Sequence, residues 1–142
     1  MAGYSGTPLV KKLGIKPDFN IAFVNAPANF AHQLELPQGV KIKSISRSED
    51  LDFILLFVKT RAVLMIAFAQ CAEKLQSNGM LWVSWPKRAS GVKTDVTENL
   101  VRETGLAAGL VDVKICAVDD TWSGLKFVYR LKDRPKLKAA RR

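Results

Sequence analysis

Histidine and cysteine are scarce in this chain: His32 stands alone among 142 residues, beside Cys71 and Cys116. Three such residues, far apart, cannot assemble a zinc site, and no metal is expected. Both cysteines lie inside apolar runs, which reads as buried free thiols and not as a disulfide. No phosphate-loop pattern with Gly-Lys-Ser or Gly-Lys-Thr occurs, and no apolar run approaches the roughly 18 residues that suggest a membrane span. The opening "MAGYSGTPLVKKLG" has no basic stretch followed by a long apolar one, so a cytoplasmic location and no membrane partner are expected. Acidic residues are also few, 13 against 22 Lys and Arg, for a net charge of +9.

That charge is unevenly spread. The last twelve residues, "LKDRPKLKAARR", carry +5 and residues 1–130 only +4. The expectation is one α/β domain over 1–130 and a basic, disordered tail over 131–142, with nucleic-acid association through the tail as one functional alternative. Apolar and charged fractions of 48% and 25% are those of a globular protein.

Along the chain, Thr7 as N-cap, Pro8 at the first helical position and Gly14 after the last apolar residue predict a short helix. "NIAFVNAP" reads as a buried strand, Ala28 to Leu34 as a short helix, "GVKIKSIS" as a half-exposed edge strand and "LDFILLFV" as a central parallel strand. Only "RSEDL" separates those last two strands, too little for a helical crossover. Thr60 caps a long helix that Asn78 and Gly79 end. "MLWVSW" is another buried strand, after which Asp95 and Glu98 have capping-box spacing for a helix from near Val96 to Gly109. "VDVKICAV" and "LKFVYRL", joined by "DDTWSG", form a closing antiparallel hairpin. The fold class is therefore α/β: a Rossmann-like three-layer sandwich, with a mainly parallel sheet ending in that hairpin.

This order of elements resembles the Rossmann-like fold of S-adenosylmethionine-dependent methyltransferases. The resemblance implies a glycine-rich turn after the first strand and an acid at the end of the second. The chain has "VNAPANF" and "SISRS" there, with no glycine between Gly14 and Gly39. The close backbone approach that glycine permits lacks its usual means, and no cofactor is expected. "GYSGTPLVKKLGIK", "NAP", "LWVSWPKRASGVKTDVTE" and "GLVDVKICAVDDTWSGLKFV" are more specifically similar to a small bacterial family classed as a domain of unknown function. That resemblance implies the same fold and no assigned activity.

The loop "WPKRASGVKTD" holds the densest polar chemistry. Ligands of open α/β sheets gather at the carboxyl ends of the strands, where this loop, "DDTWSG" and the helix start "GYSGT" should converge with three Ser-Gly pairs. The candidate ligand site is Ser5, Gly6, Lys87, Arg88, Ser90, Gly91, Lys93, Thr94, Asp119, Asp120, Trp122 and Ser123. The cations and hydroxyls suit a small anion, and Tyr4, Trp85 and Trp122 a stacked flat group. The structural alternative is that the Ser-Gly pairs only make turns, with Asp119 or Asp120 pairing to Lys87 or Arg88. No catalytic residues are identified: the serines have no histidine nearby in sequence, and His32 reads as structural.

The function expected is a noncatalytic binding or regulatory module, the alternative an atypical methyltransferase-like transferase. A deep pocket lined by Asn25 and Ala26 would favour the transferase, a filled first-strand crevice the module. Finally, "AVLMIAFA" at 62–69 is apolar all round, beyond the stripe one sheet face requires. Either the first helix covers its outer side, through Leu9, Val10 and Leu13, or a second copy does, as a homodimer.

Overall fold

A computed structural model describes residues 8–140, with side chains to Lys138; Thr7 lies outside them. A six-stranded sheet of order β2-β1-β3-β4-β6-β5 organises the chain. Its strands are β1 (Asn20–Val24), β2 (Lys41–Ile42), β3 (Leu51–Phe57), β4 (Leu75–Pro86), β5 (Leu110–Ala117) and β6 (Trp122–Tyr129). The first four are parallel, whereas β6 runs against both β4 and β5. The predicted mainly parallel sheet with a terminal antiparallel hairpin is the architecture found.

Alternation along the strands sorts two cores. Ala22, Ile54, Leu56, Leu81 and Val83 face α2 (Arg61–Lys74), α3 (Glu98–Ala107) and α4 (Arg134–Ala140), with Phe127 edge-on to Phe68 at 5.4 Å. Ile21, Phe53, Leu55 and Trp82 face α1 (Leu9–Leu13) and the segment after β1. The indole Nε1 of Trp82 donates to the Leu13 carbonyl at 2.8 Å, fastening α1 to the sheet. Gly14 ends α1 in the left-handed conformation, φ 85°, its N–H donating to Val10 and Lys11. Pro8 is the N-cap, so the helix starts one residue later than expected.

Several boundaries differ from expectation, each for a tertiary reason. The long helix stops at Lys74, short of Asn78, because Leu75 pairs with Leu51 and is fully buried. The register then jumps to Phe53 opposite Met80, and the Gln76 amide donates to Asp52 Oδ1. Gly79 permits this fold-back, since a Cβ there would stand 2.8 Å from the Leu51 carbonyl. Thr60 caps α2 as expected, its Oγ1 accepting from the Val63 N–H at 3.2 Å. Asp95 does not start α3. Its Oδ1 accepts from the Arg61 N–H at 2.7 Å, and Thr97 is the N-cap, accepting from Leu100.

The segment from Ala28 to Leu34 holds only a 3-10 turn, Ala31–Gln33, with His32 exposed. β2 is a two-residue exposed edge, and the chain returns to β3 through a 3-10 turn at Ile45–Arg47, with Ile45 against the core. Residues 131–140, read as the start of a disordered tail, form a 3-10 turn and α4, with Leu137 packed on the α2 side. Finally, α1 lies on the face opposite α2 and leaves its outer side uncovered. Val63, Met65 and Ile66 are 40%, 41% and 66% exposed.

Candidate ligand site at the carboxyl rim

The carboxyl ends of β4 and β5 do meet at one rim. Pro86 is the partner of Trp122, and the Lys87 N–H donates to the Thr121 carbonyl at 2.7 Å, holding residues 87–97 beside the β5–β6 turn. Ser123 is paired with Trp85 on β4, and Ser90 follows in the loop that leaves the same strand. Ser5 and Gly6 fall outside the described residues, as does Tyr4.

Much of the polar chemistry is spent on loop structure. Ser90 Oγ donates to the Lys87 carbonyl at 2.6 Å and accepts from the Val92 N–H at 3.1 Å, closing a 3-10 turn that Gly91 leaves at φ 77°. Thr94 Oγ1 donates to the Lys59 carbonyl at 2.6 Å and accepts from Val96. Asp119 Oδ1 accepts from the N–H groups of Thr121 and Trp122, both at 2.8 Å, making the hairpin turn. The buried Ser84 hydroxyl donates to the Ser123 carbonyl at 2.8 Å. No ion pair joins Lys87 or Arg88 to Asp119 or Asp120, so the loops are held by backbone contacts and not by charge. Arg88, Lys93 and Asp120 are exposed, and Lys87 is half-buried.

Stacking by the tryptophans is corrected by their burial. Trp85 is 6% and Trp122 7% exposed, and Trp122 packs edge-on to Phe57 at 5.0 Å. Trp85 continues the inward alternation of Leu81 and Val83, a signal that strand periodicity already carried.

At the end of β1, Asn25 adopts φ 58°, a left-handed conformation that Asn tolerates better than most residues. The turn then brings in Phe30, which is 5% exposed. Its ring lies edge-on to Phe23 at 5.6 Å and to Phe57 at 5.0 Å. An aromatic row thus runs from β1 to β6 across the carboxyl ends on the α1 face. Sequence reasoning missed Phe30; "ANF" shows no periodicity that marks it as buried.

Elsewhere, an open depression of about 210 Å³ at the amino ends of β1 and β3 is lined by Asn20, Lys43, Arg47, Ser48, Glu49 and Leu51. Among the described residues, no group of three or more His, Cys, Asp or Glu could hold a metal, and no helix is long and apolar enough to cross a membrane.

Sheet, closing hairpin and rim together define a Rossmann-like α/β protein. Within that class the chain belongs to the family described as "Protein of unknown function (DUF3052)", whose model matches residues 26–131. No curated protein matches the sequence. Among solved structures it is similar to a precorrin-6y C5,15-methyltransferase from Geobacter metallireducens, with TM-score 0.60, 8% identity and 86% of each chain covered. It is also similar to a SAM-dependent methyltransferase from Aquifex aeolicus, with TM-score 0.58, 13% identity and 84% of this chain and 86% of that one covered. A third is the magnesium protoporphyrin IX methyltransferase from Synechocystis PCC 6803 with bound SAH, with TM-score 0.55, 10% identity and coverages of 86% and 78%. These likenesses establish the methyltransferase-like fold.

Proposed function

We propose that the chain is a noncatalytic binding or regulatory module on a methyltransferase-like fold, which takes a small anionic ligand at its carboxyl rim. The observation that carries the noncatalytic half is Phe30. A buried ring from the turn after β1 occupies space beside that strand's carboxyl end, where ligands of this fold class ordinarily approach. Three further features agree. Residues 25–29 contain no glycine, the segment after β2 begins Lys43-Ser44 without a carboxylate, and Lys87, Arg88 and Lys93 bring cations to the rim.

One observation favours a second reading, an atypical methyltransferase-like transferase. Asn25 holds the left-handed conformation that a glycine would supply in the first turn, so the backbone path survives without the residue. Thermal denaturation with millimolar S-adenosylmethionine or S-adenosylhomocysteine decides between them. The module predicts no shift, whereas a site with about 10 µM affinity would gain about 2.7 kcal/mol at hundredfold excess. A saturable shift overturns the module reading.

A further inference from the structure

The positive charge outside the tail has a location that the linear sequence hides. Lys114 on β5 and Lys126 on β6 are direct cross-strand partners. Lys114 Nζ reaches across to donate to the Lys12 carbonyl at 3.3 Å, bridging the hairpin and α1. Lys126 Nζ lies 4.0 Å from the point where a Cβ on Gly14 would sit, at the end of the same helix. Lys16 follows two residues later, close enough to act on Lys126. Four ammonium-bearing side chains from α1, its exit, β5 and β6 are thus gathered on one face.

No acid balances them. Among the described residues the ion pairs belong to Arg102, with Glu98 and Asp112, and none of the four lysines takes part. Residues 1–7 and 141–142 contain no Asp or Glu to supply the missing charge. The Lys126 amine is held below its ordinary value, first by burial and then by Lys114 and Lys16, with no carboxylate opposing. The Cys116 thiol is raised by burial, against a downward pull from Lys114 and Lys12. Like charges directly opposite one another on a sheet destabilise it, so the free protein carries an unrelieved repulsion that an anion would remove.

We propose that this face, built by Lys12, Lys16, Lys114 and Lys126, is a docking surface for the phosphate backbone of duplex nucleic acid, read without base contacts. A repeating phosphate array matches charges spread over three elements better than a single small anion does, and no enclosed cavity at the cluster is needed to hold it. A single strand is less favoured, because recognition of unpaired bases relies on aromatic platforms, and the tryptophans and Tyr129 are buried. A membrane is less favoured because Val10 and Leu13 of α1 are buried in the core and Leu9 is partly buried, which leaves Val113 and Ile115 of β5, 53% and 49% exposed, as the large apolar side chains beside the cluster. The surface lies away from the carboxyl rim and does not depend on the reading above.

The test is fluorescence anisotropy of the full chain with a short mixed-sequence DNA duplex, over a salt series. Four phosphate contacts predict a log-log slope of about −3.6 and about a hundredfold loss of affinity between roughly 50 and 200 mM salt. Replacing Lys12, Lys16 and Lys114 with Gln should reduce the slope to about −0.9, and each single replacement should remove about 0.9. Unchanged far-ultraviolet circular dichroism and a melting temperature no lower than that of the wild type would confirm that these variants fold. Neutralising Lys136, Lys138, Arg141 and Arg142 instead should leave the contribution of the face intact. Either no duplex binding by the wild-type protein at low salt, or a slope unmoved by the triple replacement, overturns the proposal. Binding only to vesicles of equal parts phosphatidylserine and phosphatidylcholine overturns it in favour of a membrane, and binding only to inorganic phosphate in favour of a small anion.

Discussion

Phe30 is where packing and function meet, and its replacement by alanine gives the most direct test of the crevice. The ring is 5% exposed and makes edge contacts with Phe23 and Phe57 at centroid distances of 5.6 and 5.0 Å. Phe→Ala in a core costs about 3–5 kcal/mol, part of it the cavity left behind. Each edge-to-face pair adds about 0.5–1.5 kcal/mol beyond burial. The residue sits in the turn just before the 3-10 turn Ala31–Gln33, between short loops that can relax further than a strand, so the lower end applies: about 3 kcal/mol. For a chain of this length that is a fall of about 10 °C in Tm. Phe30→Leu, which keeps most of the volume, should recover most of the loss. Urea unfolding followed by circular dichroism reads the difference through the midpoint, with the slope held constant. A loss below about 1 kcal/mol would mean that the ring does not fill the end of β1, and the noncatalytic reading would lose its main support. A saturable S-adenosylmethionine shift in Phe30→Ala alone would reveal a cofactor site closed by one residue.

Burial pushes the Cys71 thiol up to about 12 from 9.0, so the folded state keeps a proton that the unfolded chain releases. The stability linked to that proton is fully present below about pH 9 and is lost as pH rises towards 12, at up to roughly 1.4 kcal/mol per pH unit. Urea unfolding of wild type and Cys71→Ala between neutral and alkaline pH should show the steeper decline only in the wild type; parallel declines would refute the assignment. The uncovered side of α2 leads us to propose a two-fold homodimer through Val63, Met65 and Ile66. Sedimentation should show concentration-dependent dimers that Ile66→Lys converts to folded monomers, and a wild-type protein monomeric at every concentration would end the proposal.

Strand identity was legible because the interior of a parallel sheet leaves little room for anything but continuous apolar runs. "LDFILLF" and "MLWVSW" are buried along nearly their whole length. Thr60 and Gly14 were legible because caps act within a few residues. The failures share one cause, competition from a distant partner for a local signal. Asp95 and Glu98 have the spacing of a capping box, but the Asp95 carboxylate satisfies the orphan N–H of Arg61 on another helix. Leu75 continues the helical pattern of α2, yet Leu51 draws it into the sheet. At the rim, topology put "WPKRASGVKTD" and "DDTWSG" at one edge of the sheet; it could not show that Asp119, Ser90 and Thr94 were already bonded to backbone.

Net charge misled in a related way. A balance of +4 over residues 1–130 looks unremarkable beside +5 in the last twelve, but a sum carries no geometry. A phosphate near the surface responds to charges within about one Debye length, roughly 8 Å at physiological salt. What it meets there depends on Lys114 standing opposite Lys126, and on α1 bringing Lys12 and Lys16 beside them. Asp112 is on the same strand as Lys114, but its carboxylate is held by Arg102 of α3, the helix packed against the core on the other side of the sheet from α1. Regular alternation would put Asp112 and Lys114, two residues apart, on one face; the register irregularity between them separates charges that composition would cancel, and a nearly balanced domain can still present a face of one sign.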